Sequence, residues 1–343
     1  MLRFNLRSIL YVLLCVILLT ATGCSKENLF HLHKPAAVSN LGADQVLTDG
    51  NSVSDAIYRL VGNAKTSIFL EETKLDDPRL IQLLIGKHQQ GVEVHVLLDQ
   101  WENANRATME TLKNQNISAQ FYPARKGQTD HVNLLVTDVQ NALFFGPSGG
   151  ANPGSPRDLA ILLQGKAAWR AAGVFANDWE FTTTLTLNIP AANSDPEDNI
   201  VLATNANIQL QIQQEISASN QTIWLELSAL NDQTTVQALA DAARKRQVRI
   251  LLDPAAAPVK NTPDTLEKLK QAGVEIRLAQ IAAGQTFPNM GIFDDGTFIV
   301  STSGWTYAAF VINHELSLTI PSPAATAKLR QLFEQDWANG KPI

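Results

Sequence analysis

Apolar and polar positions along this chain form a series of elements that occurs twice in the same order. Ala56, Leu60 and Val61 share a helical face before Gly62-Asn63, and Ile208, Ile212 and Ile216 share one before Ser219-Asn220. That spacing predicts amphipathic helices that stop at the small polar residues. A short β-rich run follows each, SIFLEET at 67–73 and TIWLELS at 222–228, with acidic residues set among apolar ones. Next comes a helix ending in a basic or glycine turn, then a strand closing on Asp: GVEVHVLLD (91–99) and QVRILLD (247–253). A third pair, METLKNQNISAQFY and LEKLKQAGVEIRLA, again reads as helix then strand.

Matching positions keep a nearly constant separation. Glu71 and Glu226, Asp99 and Asp253, Met109 and Leu266, Asp138 and Asp295, and Asp158 and Glu315 are each 154–157 residues apart, and the Asp-Trp pairs 178–179 and 336–337 are 158 apart. This is an internal duplication. Alternating strands and helices predict an α/β protein of two tandem halves, each a mixed β-sheet sandwiched by helices. Two such halves face each other about a pseudo-two-fold axis, where matched positions meet. The turn-rich run Leu187-Asn-Ile-Pro-Ala-Ala-Asn-Ser-Asp-Pro separates them.

The N-terminus departs from both patterns. Arg3 and Arg7 precede an apolar stretch from Ile9 to Leu19, too short to span a bilayer but fitting a secretory signal. Ala21-Thr22-Gly23 then lead into Cys24. This resembles the lipobox of bacterial lipoproteins, in which the cysteine is lipidated; the other reading is an ordinary signal peptide with a chance cysteine. Ser25 follows where Asp would imply inner-membrane retention, so the resemblance implies a lipid anchor in the outer membrane, facing the periplasm. The expected organisation is a signal segment (1–23), a tether (24–45), a first repeat (46–183), a linker (184–200) and a second repeat (201–343).

Composition narrows the function. The 343 residues are 45% hydrophobic and 17% charged, ample for packed cores. The net charge of −6, or −8 once Arg3 and Arg7 leave with the signal, argues against a basic nucleic-acid surface. Cys15 also leaves, so Cys24 stands alone and no disulfide forms. No zinc, P-loop or dinucleotide pattern occurs, so neither a metal nor a cofactor is expected.

The candidate chemistry lies in TDHVNLLVTDVQNALFFGPSGG (129–150) and TFPNMGIFDDGTFIVSTSGWT (286–306). With the upstream LLD strands and the downstream INHELSLTI (312–320), these runs resemble the HxKxxxxD region of the phospholipase D superfamily. The resemblance covers roughly residues 45–340. It implies one His and one Lys from each half, meeting in a shared phosphodiesterase site. One His attacks phosphorus, the other protonates the leaving oxygen, and the lysines hold phosphoryl oxygens.

His131 and Asp138 keep the motif's spacing in the first half, with Asn133 at the lysine position. Aligned on Asp295, the second half has Pro288 at the histidine position and Met290 at the lysine position. Asp158 and Glu315 stand where the family places carboxylates that orient the histidines, or else serve only to maintain the fold. Lys74, Arg125 and Lys126 are substitute cations or plain surface charges. His314, beside Glu315, points away from the cleft if Glu315 faces it. The expectation is a lipid-anchored envelope protein with a degenerate catalytic set and a binding or scaffolding role, for anionic phospholipid or another envelope protein. The alternative is a phosphodiesterase or phosphatidyltransferase acting through His131.

Overall fold

The computed structural model describes residues 38–146, 157–192, 197–254, 263–281 and 287–343. The signal segment, Cys24 and part of each post-motif or pre-motif loop lie outside them.

Fifteen strands and nine α-helices are present among the described residues. The first half carries β1 (Val46–Leu47), α1 (Gly50–Asn63), β2 (Ser67–Glu72), α2 (Pro78–Gln89), β3 (Glu93–Asp99), α3 (Asn105–Asn114), β4 (Ser118–Tyr122), β5 (Leu134–Thr137), β6 (Asn141–Phe145), β7 (Ala160–Gln164) and α4 (Gly165–Thr183). The second carries β8 (Val201–Thr204), α5 (Ala206–Ala218), β9 (Thr222–Leu227), α6 (Gln233–Ala243), β10 (Gln247–Leu252), α7 (Pro263–Gln271) and β11 (Glu275–Leu278). It continues with β12 (Met290–Phe293), β13 (Thr297–Ser301), α8 (Tyr307–Val311), β14 (Leu316–Ile320), α9 (Pro323–Asn339) and β15 (Lys341–Pro342).

The sheets mirror one another. Strand order is β1-β7-β6-β5-β2-β3-β4 in the first and β15-β11-β10-β9-β12-β13-β14-β8 in the second. In each, three strands run parallel (β2, β3, β4; β9, β10, β11) and the rest are antiparallel. Helices on both faces explain why β2 is buried at every position rather than alternating. Ile68 and Leu70 enter a core of the first half alone. Phe69, between them, enters a core shared by both halves, to which the second half contributes Trp224, Met290 and Phe333.

The long helices α4 and α9 supply much of that shared core. Phe175 and Trp179 stack at 6.1 Å, and Phe333 and Trp337 at 5.7 Å. The recurring Asp-Trp pairs therefore mark the central layer. Helix starts follow capping chemistry: the Asp49 side chain accepts from Ser52 N–H, Asp232 from Thr235 N–H and Ser322 from Ala325 N–H.

One expected boundary shifts. Residues 38–45, read as tether, belong to the compact unit 38–343. Leu41 is buried, Ser39 N–H donates to the Pro321 carbonyl, Ser322 Oγ donates to Leu41 O, and Lys328 Nζ donates to the Ala43 and Val46 carbonyls. No helix of the described residues is long and apolar enough to cross a membrane.

Candidate active site

Strand pairing fixes how the halves correspond. Leu134 pairs with Glu71 across β5 and β2, and Met290 pairs with Glu226 across β12 and β9. Met290 is thus the counterpart of Leu134, one step beyond the motif's lysine position. Asn289, not Met290, matches Asn133, and Phe287, not Pro288, matches His131.

The motif aspartate moves by one as well. Asp138 and Asp294 both adopt left-handed backbone, at φ 54° and 50°. The Asp138 carboxylate accepts from the N–H groups of Lys65, Thr66 and Ser67, and that of Asp294 from Asn220, Gln221 and Thr222. Burial pushes the Asp138 carboxyl up, but these donors outweigh it and hold its pKa below the ordinary value. The motif aspartate secures the entry to the central strand. Asp295, singled out in the sequence, is exposed and paired with Arg330.

His131 sits at the junction between the halves. The stretch around it pairs with the stretch before β14: His131 N–H donates to the His314 carbonyl, and His314 N–H to the Thr129 carbonyl. His131 Nδ1 lies 2.6 Å from Glu315 Oε1, and Thr302 Oγ1 donates to Glu315 Oε2 at 2.6 Å. The carboxylate selects the tautomer with the proton on Nδ1, leaving Nε2 outward on a partly exposed ring. Burial alone would lower the imidazole's pKa, but the hydrogen bond and charge of Glu315, helped by Asp130 and Asp99, raise it. Such an oriented imidazole can attack or donate a proton.

The rest of the family's set is absent. Asn133 is buried, and its Oδ1 accepts from Thr73 N–H at 3.0 Å. Asn289 is buried too, its Oδ1 accepting from Ser228 N–H and Oγ, both at 2.8 Å. Both amides are committed to the backbone next to the central strands. Phe287 is buried and cannot carry a proton. Asp158, also buried, lines a small cavity with Arg157, Phe287 and Asn289. Lys74 is paired with Asp76 at 2.5 Å, and Arg125 and Lys126 are exposed.

A second constellation escaped the sequence reading. The residue before each of the paired acids crosses to the opposite half. Arg157 Nη1 donates to Glu226 at 2.9 Å, and its Nη2 pairs with Asp336. His314, the matching residue, lies 3.2 Å from Asp178 Oδ2 and 3.6 Å from Glu71 Oε1. Arg157 and His314 have the same separation as Asp158 and Glu315, so the duplication contained the signal. What hid it was that Arg and His are different residue types.

The duplicated α/β chain thus joins a histidine of one half to a carboxylate of the other. Residues 212–337 match the family model described as cardiolipin synthase, PLD-like domain. The solved phosphatidylserine synthase of Haemophilus influenzae Rd KW20 has the same fold, with a TM-score of 0.63, 14% identity and coverage of 89% of this chain and 90% of that one. Polyphosphate kinase from Porphyromonas gingivalis also gives 0.63, at 12% identity over 87% of this chain; the match spans 48% of that enzyme. No curated protein sequence matches the chain. The second repeat therefore matches a phospholipase-D-like domain model, and the two-repeat fold is that of the solved phosphatidylserine synthase.

Proposed function

We propose that this protein is a catalytically degenerate member of the phospholipase D superfamily, lipid-anchored through Cys24 in a bacterial envelope, where it binds a phosphate-bearing headgroup of anionic phospholipid. The observation that carries this reading is the symmetric replacement at the lysine positions. Asn133 and Asn289 are neutral amides whose side-chain oxygens accept from Thr73 and Ser228, so neither supplies the charge that a lysine would bring to a phosphoryl group. With Phe287 in place of the second histidine, the motif supplies no second imidazole as general acid. Such an acid contributes about 10²–10⁴-fold and each electrostatic stabiliser about 10²–10³-fold. Their joint loss removes the basis of the two-histidine mechanism.

His131 fits binding better than turnover. Glu315 favours the imidazolium, and a protonated Nε2 donates to a phosphate oxygen. The same relay, His131–Glu315–Thr302, is what an active phosphodiesterase or phosphatidyltransferase would use, but the second motif histidine that would be its partner acid is Phe287. At a net charge of −8 the mature chain gains no general attraction to an anionic surface, so retention must come from the cleft.

Vesicle cosedimentation of the chain from residue 24 with Cys24→Ser tests the headgroup reading without the anchor. Phosphatidylglycerol vesicles should retain it, phosphatidylcholine vesicles should not, and His131→Ala should cut retention several-fold. Equal retention on both lipids, none on either, or retention indifferent to His131→Ala would refute headgroup binding. Capture by a protein partner without lipid would replace it with scaffolding.

A further inference from the structure

The two cross-half clusters are built alike but filled differently. In the second half, the buried Glu226 and the half-buried Asp336 hold the Arg157 guanidinium. In the first half, Glu71 of β2 and Asp178 of α4 face the His314 imidazole, and a third acid, Asp130, lies against Glu71. Glu71 and Asp130 are fully buried. Burying three acids against a single imidazole is a costly arrangement.

The polar atoms point inward without satisfying one another. Both Glu71 oxygens, Asp178 Oδ2, Asp130 Oδ2 and His314 Nε2 make no hydrogen bond of good geometry among the described residues. Donor atoms of Glu71, Asp178 and His314 nevertheless lie within 4.8 Å of one another. The His314 Nε2 separations of 3.2 and 3.6 Å bracket the spacing of neighbouring ligands around a tetrahedral zinc, about 3.3 Å for bonds of about 2.0 Å.

Outer contacts prepare the imidazole for such a role. Asn205 Oδ1 accepts Glu315 N–H at 3.0 Å, which identifies it as the oxygen of the amide. His314 Nδ1, 3.3 Å from that oxygen, must then be the protonated nitrogen, and Nε2 is left to face the acids. Tyr122 stacks on the ring at 4.4 Å and fixes its plane.

We propose that Glu71, Asp178 and His314 form a structural binding site for a divalent transition metal, with zinc the best match to one imidazole and two carboxylates. The acids come from the first half and His314 from the second. The metal would staple the halves on one side of the pseudo-two-fold, as Arg157 does on the other. The expectation of no metal came from spacing along the sequence, which cannot register ligands at 71, 178 and 314.

Isothermal titration of the chelator-stripped full chain with zinc tests this. One equivalent should bind and raise the melting temperature by several degrees. Asp178→Asn, nearly isosteric, should weaken binding by about tenfold or more. Asp295→Asn, at the exposed pair with Arg330, should leave it unchanged. Absence of stoichiometric binding, or binding indifferent to Asp178→Asn, would overturn the proposal. Should Asp178→Asn fail to fold, zinc-edge diffraction from the wild-type chain decides the matter. An anomalous peak between Glu71, Asp178 and His314 supports the site, and a peak only elsewhere defeats it.

Discussion

A single carboxylate separates the two ways of matching the halves. Asp294 and Asp295 are neighbours, and counting along the chain does not distinguish them. Hydrogen bonding does: Asp294 holds three successive N–H groups from left-handed backbone, whereas the exposed Asp295 meets one half-buried arginine. Asp294→Ala should therefore cost about 2–4 kcal/mol, by losing charge-assisted bonds and placing a β-carbon residue without a compensating side chain at positive φ. Asp295→Ala should stay within about 0.5 kcal/mol. Urea denaturation of the two variants checks this; equal effects would undo the assigned register. A one-residue slip matters because it turns every side chain of a strand to the other face. It is why Met290 is a core residue and Asn289 the motif residue. At the same scale, headgroup retention should weaken as pH rises through the raised pKa of His131, since the imidazolium is the donor. Retention that rises or holds constant would assign the contact to another group.

At the level of elements, the cross-half clamps tie α4 and α9 to the opposite half. Removing the Arg157 side chain would leave Glu226 and Asp336 without their cation, and Arg157→Ala should destabilise by about 3–5 kcal/mol. The clamp also sets a pH dependence. Burial, followed by the charge of Asp336, pushes the Glu226 carboxyl up to about 8 despite Arg157. Its proton is held more tightly folded than unfolded, so this contribution to stability is complete below the ordinary glutamate value near 4.5. It is lost as pH rises towards 8. Denaturation across that window should show falling stability, with a smaller slope in Glu226→Gln; an unchanged slope would mean that other groups carry it. The elements themselves were legible in the sequence, since amphipathic helices and apolar strands leave periodic traces. So was the duplication. The Arg157 and His314 crossings were not, because a contact between halves leaves no local period.

For the whole molecule, the two-repeat fold is complete while three of the four histidine and lysine positions of the motif carry other residues. Both sheets, both motif aspartates and one complete histidine–carboxylate pair across the halves are present. Of the two histidines and two lysines that the superfamily resemblance implies, only His131 stands in its place. The sequence exposed that deficit in outline, through Asn133. Its symmetric form, with Asn289 and Phe287 in the second half, depended on strand register. The anchor side was less legible: residues 38–45 look like linker by composition but are held by Ser322 and Lys328, contacts made nearly 300 residues away.

The claim of degeneracy meets its most direct test in phosphodiester turnover. Purified chain, with and without His131→Ala, is assayed on bis(p-nitrophenyl) phosphate and on phosphatidylglycerol vesicles. The predicted result is no release from either substrate above the His131→Ala control. Turnover by the wild-type chain that disappears in His131→Ala would contradict it.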